Sequence, residues 1–407
     1  MFFLRNTFLT FSANVSCFHS VSKGTFIESR LQWRHYKNTV LLPHRKFSSA
    51  PKTAVLMLNM GGPADLGEVE PFLTRLFTDK DIIPLPMQSK LGPLIAKRRT
   101  PKVTEKYREI GGGSPIKSWT TKQGDAMVKI LDKISPESAP HKFYIGFRYA
   151  QPLMEDTIEE MHRDGVERAI AFSQYPQYSC STSGSSFNAL AKYYLKSKDN
   201  VKLRWSFIDR WPVDTGLVEA FKDLTLKEAE KFSSDVKDDI VILFSAHSLP
   251  MSAVNRGDPY PVEVAATVLK VMQALNWRFP YRLVWQSKVG PVPWLSPQTD
   301  DALRGFVNNG HRNFLIVPIS FVNEHIETLH ELDIEYAAEL AQKLKIENIR
   351  RVPAPNDHPA FIEGLAKIVK GHIDSGEVCS KQLLLKCPMC TKAVCSQMRQ
   401  WIGSMKN

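Results

Sequence analysis

The stretch TAVLMLNM (53–60), closed by Gly61, Gly62 and Pro63, decides the fold because it has a twin: DIVILFS (239–245), followed by AHSLP (246–250). Each is a continuous apolar, β-rich run ending at a turn signal, the pattern of a strand buried on both faces. The pairing repeats in order along the chain. KFYIGF (142–147) answers to YRLVW (281–285), RAIAF (168–172) to RNFLIV (312–317), and VKLRWSF (201–207) to IRRV (349–352). Helical segments fall between them in matching places, 119–134 against 262–275 and 186–196 against 327–344. Strands alternating with helices imply a parallel sheet covered on both faces. Four pairs in one order imply a duplication, with two similar four-stranded α/β domains in tandem.

The 407 residues, 43% hydrophobic and 23% charged, suit two or three globular domains. No uncharged apolar run is long enough to span a bilayer as a helix. The net charge of +11 is unevenly spread: residues 1–50 carry +6 and the remainder +5. That leading segment is rich in Ser, Phe and Arg and nearly free of acid, the composition of a mitochondrial transit peptide. RKFSSA (45–50) gives a cleavage context. The mildly basic body does not call for nucleic acid but fits an anionic membrane or an acidic ligand.

The halves differ in one place. From first to second strand the first half takes about 89 residues and the second about 42. The surplus lies mainly in 76–118, where IIPLPM (82–87) and LGPLI (91–95) sit beside Lys97, Arg98, Arg99 and Lys102. Apolar residues next to a basic cluster suit a lip that touches an anionic bilayer.

Ligands of open α/β sheets bind outside the carboxyl ends of the strands. Those ends carry Asn59-Met60-Gly61-Gly62, Arg148-Tyr149 and SQYPQYSC (173–180) in the first half. In the second half they carry His247, QSKVGPVPW (286–294) and PISFVNEHIE (318–327). No nucleotide-binding glycine pattern is present. The cleft offers His247, His325, Glu327 and several aromatics, a flat apolar site with proton acceptors. Glu327, Glu331 and Glu335 recur at i, i+4, i+8, on one face of a helix. Like charges so spaced repel, so the row is either a solvated face or a lane for protons or cations.

The blocks SAHSLP (245–250), QSKVGPVPWL (286–295), HIETLHELDIEY (325–336), YREIGGGSPI (107–116) and GFRYAQP (146–152) resemble the ferrochelatase family in the family's order, over about residues 52–400. The resemblance implies two Rossmann-like chelatase domains that grip protoporphyrin IX, insert Fe²⁺ and release two protons, the terminal step of haem biosynthesis. It implies that His247 and Glu327 are catalytic with His325 beside them. Glu331 and Glu335 would extend a proton or metal path, with Arg148 and Tyr149 on the opposite wall. It further implies that Met60, Trp294 and Phe321 press on the macrocycle, and that Arg99, Tyr107 and Ser114 contact the porphyrin. Glu324 stands where the family usually has Asp, one methylene longer in reach.

CPMCTKAVC (387–395) holds three cysteines in nine residues. The spacing of Cys387, Cys390 and Cys395 calls for a metal, and zinc is the default for a short cysteine knuckle. The family resemblance instead implies a [2Fe–2S] cluster whose fourth ligand is Cys180, in YSCSTSG (178–184). The tail would then fold back over the first domain. Cys379 is left as a free thiol or as the alternative fourth ligand. The resemblance also implies a homodimer and peripheral attachment to the matrix side of the mitochondrial inner membrane. The division expected is 1–50 as leader, 51–214 as first domain with its lip, 215–376 as second domain and 377–407 as cluster-binding and dimerisation extension. The rival reading is a two-lobed porphyrin or haem carrier without catalysis, which needs the aromatics but not the His247/Glu327 pair. A cobalt chelatase and an iron–sulfur electron carrier are further alternatives that the leader, the cluster cysteines and the chain length disfavour.

Overall fold

A computed structural model describes residues 53–82, 86–196 and 203–406. The expected leader, residues 83–85 of the lip and the first two residues of the expected fourth strand lie outside them. Two four-stranded parallel sheets form, with strands β1 (Thr53–Asn59), β2 (His141–Phe147), β3 (Arg168–Ser173) and β4 (Arg204–Ile208) in the first, and β5 (Val241–His247), β6 (Tyr281–Gln286), β7 (Asn313–Val317) and β8 (Asn348–Arg351) in the second. The strand orders are β2-β1-β3-β4 and β6-β5-β7-β8, the same topology twice. All eight strands coincide with the apolar runs to within a few residues.

The two runs that opened the reading are the inner strands of their sheets. Every residue of β1 is buried, and β5 is buried up to His247, which is half-buried. One apolar core serves both halves. It joins Val55, Met57, Ile170 and Phe172 of the first sheet to Ile242, Phe244, Leu315 and Val317 of the second. Helices Thr215–Ala229 and Pro359–Ser375 cross at glycines, where a Cβ on Gly216 would stand 2.3 Å from the Ala360 carbonyl oxygen.

The lip is a helical hairpin of Val69–Thr78 and Gln88–Glu109. Met87 and Leu94 are exposed, as are Lys90, Lys97, Arg98, Arg99 and Lys102. The hairpin's inner side packs on the first lobe through Phe72, Leu73, Phe77, Ala96 and Tyr107. The tail closes back on the first lobe. Helix Ala393–Gly403 lies along helix Ser183–Lys196, with Trp401 stacked on Tyr194 at 5.5 Å between ring centroids. No described helix is long and apolar enough to cross a membrane.

The segment expected as a plain helix over 327–344 is a π-helix from Glu327 to Leu340, continued as α over Ala341–Leu344. A spacing of four leaves residues on one face in either winding, so the carboxylate row could not distinguish them. The i→i+5 winding is uncommon and concentrates at functional sites.

Candidate active site

His247 ends β5, and the π-helix begins ten residues beyond the end of β7, so both stand at the carboxyl edge of the second sheet. His247 Nδ1 lies 2.9 Å from Glu327 Oε2. Among the described residues none hydrogen-bonds its Nε2. Burial alone would depress the imidazole's pKa, but Glu327, by charge and hydrogen bond, and Glu331 hold it above the ordinary value. Glu327 is held down to about 2: burial opposes ionisation, while His247, His325 and Ser287 outweigh it. The pair therefore favours its charged form. His325 behaves in the opposite way, with burial pushing its pKa down despite Glu327 and Glu324. Its Nδ1 accepts the Glu327 N–H at 3.0 Å, and its ring meets Phe321 edge-on at 4.8 Å.

Glu331 accepts from the Ser287 N–H at 2.8 Å, from the Ser287 hydroxyl at 2.5 Å and from the Tyr336 hydroxyl at 3.0 Å. Burial, with Glu327's charge adding, pushes its pKa up. Of the two adjacent carboxylates, Glu327 holds its charge and Glu331 holds a proton more readily, a gradient that suits proton transfer along the row. Glu335 is paired with Lys106 of the lip at 2.5 Å.

The first lobe faces this row. Burial pushes the hydroxyls of Tyr107 and Tyr175 up, and the charge of Glu327 on the other lobe pushes them further. Tyr175 donates to Asn59 Oδ1 at 3.2 Å and accepts the Met60 N–H at 3.0 Å, which fixes the end of β1. Ser114 is drawn in by close backbone contact. Its N–H donates to the Pro63 carbonyl at 2.7 Å, and a Cβ on Gly113 would stand 2.1 Å from the Ala64 carbonyl oxygen. Gly61 takes φ +76°, a left-handed conformation that glycine adopts freely, and a Cβ there would press on the Phe147 ring.

Arg148 and Tyr149 meet at an acid that the sequence reading missed. Asp79 accepts from Arg148 at 2.6 Å and from the Tyr149 hydroxyl at 2.7 Å. Tyr149 is buried in the lip's core. Arg99 is exposed, with its guanidinium 5.6 Å from the Phe77 ring centroid. Trp294 is partly buried, and its indole N–H is buried without a partner among the described residues. Glu324 is a structural acid here: it accepts from Arg351 at 2.8 Å, from the Ala354 N–H at 2.9 Å and from the Thr328 hydroxyl at 2.5 Å. Arg351 in turn forms a forked pair with Asp333 at 2.6 and 2.7 Å.

The cysteines of the tail approach Cys180. Burial pushes the Cys180 thiol up, with Asp258, Cys387 and Cys395 adding, and the Cys387 and Cys180 side chains are hydrogen-bonded. Burial also raises Cys395, with Cys390 nearby adding to it. Asp258 accepts from the Cys180 N–H and the Ser179 hydroxyl, both at 2.9 Å. Cys379 lies apart, in an apolar cluster with Leu383 and Met398. Among the described residues no group of three or more His, Cys, Asp or Glu side chains surrounds a single ion. A binuclear cluster asks for a different arrangement, four thiolates shared between two irons. Cys180, Cys387, Cys390 and Cys395 fit that demand chemically: four neighbouring thiols, three of them held protonated chiefly by burial, that a cationic cluster would ionise.

Two lobes of identical topology, with a histidine–carboxylate pair at the carboxyl edge of one and tyrosines of the other in its field, suit a chelatase. The sequence profile of the ferrochelatase family matches residues 52–373, and the chain belongs to that family. It is 59% identical to human "Ferrochelatase, mitochondrial" over 356 residues, 88% of this chain and 84% of that protein. It is 54% identical to the Drosophila melanogaster protein of the same name over 351 residues, covering 86% and 91% of the two chains. The Schizosaccharomyces pombe protein of that name is 46% identical over 399 residues, covering 97% and 92%. Among solved structures, SirB from Bacillus subtilis aligns with 80% of this chain and 98% of its own at 12% identity, with a TM-score of 0.46. The chain is a metal-inserting enzyme, and nothing in these likenesses supports the carrier reading.

Proposed function

We propose that the chain inserts Fe²⁺ into protoporphyrin IX held between the two lobes, a lyase reaction in which His247, backed by Glu327, accepts the protons that the macrocycle gives up and passes them on. The observation that carries this reading is the His247–Glu327 contact of 2.9 Å at the carboxyl edge of the second sheet. Fe²⁺ replaces the two pyrrole N–H protons of the neutral macrocycle core, so the metallated core is again neutral and two protons leave. His247 Nε2 is free of protein partners among the described residues and is the natural acceptor. Glu327 stabilises the imidazolium that forms, and His325 orients Glu327 through its backbone N–H. Glu331 and Glu335 lead protons out or cations in. Arg148 and Tyr149, fixed by Asp79, shape the opposite wall.

Met60, Phe321 and Trp294 press on the ring and bend it, which exposes the pyrrole lone pairs. The unpartnered Trp294 N–H supports a ligand acceptor at that wall. Arg99 suits a propionate, and Tyr107 and Ser114 complete the lip side. The exposed Met87 and Leu94 among lysines and arginines suit shallow contact with anionic lipid. The leader composition and the relatives' names support a mitochondrial location, and we assign the enzyme to the matrix side of the inner membrane. We assign a [2Fe–2S] cluster to Cys180, Cys387, Cys390 and Cys395, which would staple the tail to the first lobe, and a homodimer to the assembled enzyme. An anaerobic assay with Fe²⁺ and protoporphyrin IX tests the reading. Appearance of the haem spectrum with purified chain supports it, and an unchanged free-base spectrum contradicts it.

A further inference from the structure

A buried bridge joins the cysteines of the tail to the wall of the cleft. Asn188 lies on helix Ser183–Lys196, and its side chain is buried. Its Nδ2 donates to Asp81 Oδ2 at 3.2 Å and to the Cys395 sulfur at 3.4 Å. Both neighbours accept, so the carboxamide stands with its nitrogen toward them; turning it over would set oxygen against a carboxylate. Asp81 is buried too, and cations reach it from two elements. Lys192, one turn further along the same helix, comes within 3.4 Å of Oδ2. Lys392, between Cys390 and Cys395, comes within 3.6 Å of Oδ1 and donates to the carbonyls of Lys80 and Asp81 at 3.3 Å each. The turn passes this hold on. The Asp81 N–H donates to Asp79 Oδ1 at 2.8 Å, while Asp79 Oδ2 accepts from Arg148 and Tyr149. Ser185, one turn before Asn188, donates to Asp79 at 3.3 Å and accepts from Arg148 at 3.4 Å. One helix face, made of Ser185, Asn188 and Lys192, therefore lies against both acids.

We propose that Asn188 and Lys392 are positioning residues that tie the cysteine-bearing tail to the Asp79–Asp81 turn, so that Arg148 and Tyr149 are held in place on the cleft wall by the seated tail. The inference rests on the cluster and wall assignments given above. Asn188 acts at both ends of the bridge. An N–H donated to a ligating sulfur withdraws charge from it and favours the reduced cluster, which raises the reduction potential. The same carboxamide and the Lys392 ammonium satisfy a buried carboxylate that would otherwise be costly to hold.

The test uses the full chain purified anaerobically, carrying Asn188→Leu or Lys392→Met. Three quantities are read: the cluster's midpoint potential by optical titration, amide hydrogen exchange over residues 79–82, and KM for Fe²⁺ beside KM for protoporphyrin. Asn188→Leu is expected to shift the reduction equilibrium about tenfold toward the oxidised form, a potential lower by about 59 mV for one electron. Exchange in the turn should quicken about tenfold in Asn188→Leu and about threefold in Lys392→Met, where the lost pair is partly exposed. KM for Fe²⁺ should rise by similar factors, with porphyrin KM unchanged. Lys392→Arg should keep the parental values. If Asn188→Leu fails to hold its cluster, Asn188→Ser takes its place. Turn exchange at the parental rate in both variants, or an unchanged potential in the Asn188 variant, overturns the bridge. Asp79→Asn, run alongside, should raise KM for Fe²⁺ by itself. If it does not, the wall reading fails, and exchange and potential still decide the bridge. A parent chain without iron–sulfur absorption overturns the cluster reading, and turn exchange in Lys392→Met then decides the bridge alone.

Discussion

His247 and Glu327 face each other across 2.9 Å, one from the last residue of β5 and the other from the first residue of the π-helix. Each sets the other's charge. Replacing Glu327 by Gln keeps the shape and removes the charge. Insertion should slow by about 10² to 10⁴, with an unchanged far-UV spectrum. The His247 imidazole should also titrate at a lower pH, which NMR of the ring protons reads directly. A rate within a few-fold of the parent would contradict the assignment.

The same pair fixes a pH dependence. His247 has its pKa raised above 6.5, so its share of stability is fully present below 6.5 and fades as pH rises through the folded value. Glu327 is lowered from 4.5 to about 2, so its share is present above 4.5 and fades as pH falls toward about 2. The pair contributes most between those ordinary values, and thermal melts across the range should show that contribution vanish in the Glu327→Gln chain. Catalysis needs the neutral imidazole. The acid limb of kcat/KM should therefore lie above pH 6.5 in the parent and move down in Glu327→Gln.

Cys180→Ser should abolish the visible absorption of an iron–sulfur centre in protein purified anaerobically, and should loosen helix Ala393–Gly403 from the first lobe. Cys379→Ser should keep the absorption, because Cys379 sits in an apolar cluster apart from the other four. Elemental analysis giving one zinc and no iron would overturn the cluster assignment.

Gly113→Ala drives a Cβ to 2.1 Å from the Ala64 carbonyl oxygen. Backbone cannot yield as a flexible side chain does, so the change should cost about 3 kcal/mol and raise porphyrin KM by displacing Ser114. Thermal melting and steady-state kinetics check both. Gly111→Ala tests a contrasting neighbour. There no atom crowds the added Cβ, but φ is +106°, so its cost is backbone strain alone.

The duplicated frame was legible because it rests on local pattern: continuous apolar strands, turn signals at their ends, helices between. The placement of Met60, Arg148 and His247 at the carboxyl ends of strands was legible for the same reason. What the sequence hid depends on distant partners or on winding. Asp79 lies 69 residues from Arg148 and is joined to it only in the fold. Asp258 holds the Cys180 loop from the other lobe. Glu324 looked like a variant of a site acid, yet Arg351 and the Ala354 N–H claim it. The π-winding has no periodic signature in a row of glutamates spaced by four. It becomes visible only through His330 and Glu335, five apart and in contact.

The central claim is proton removal by the His247–Glu327 pair during iron insertion. Its most direct test is single-turnover insertion of Fe²⁺ into protoporphyrin IX without oxygen, followed at the Soret band, for the parent, His247→Ala and Glu327→Gln chains loaded with porphyrin beforehand. The account predicts that all three bind the porphyrin and only the parent metallates it at an appreciable rate. Equal metallation by the three chains would contradict it.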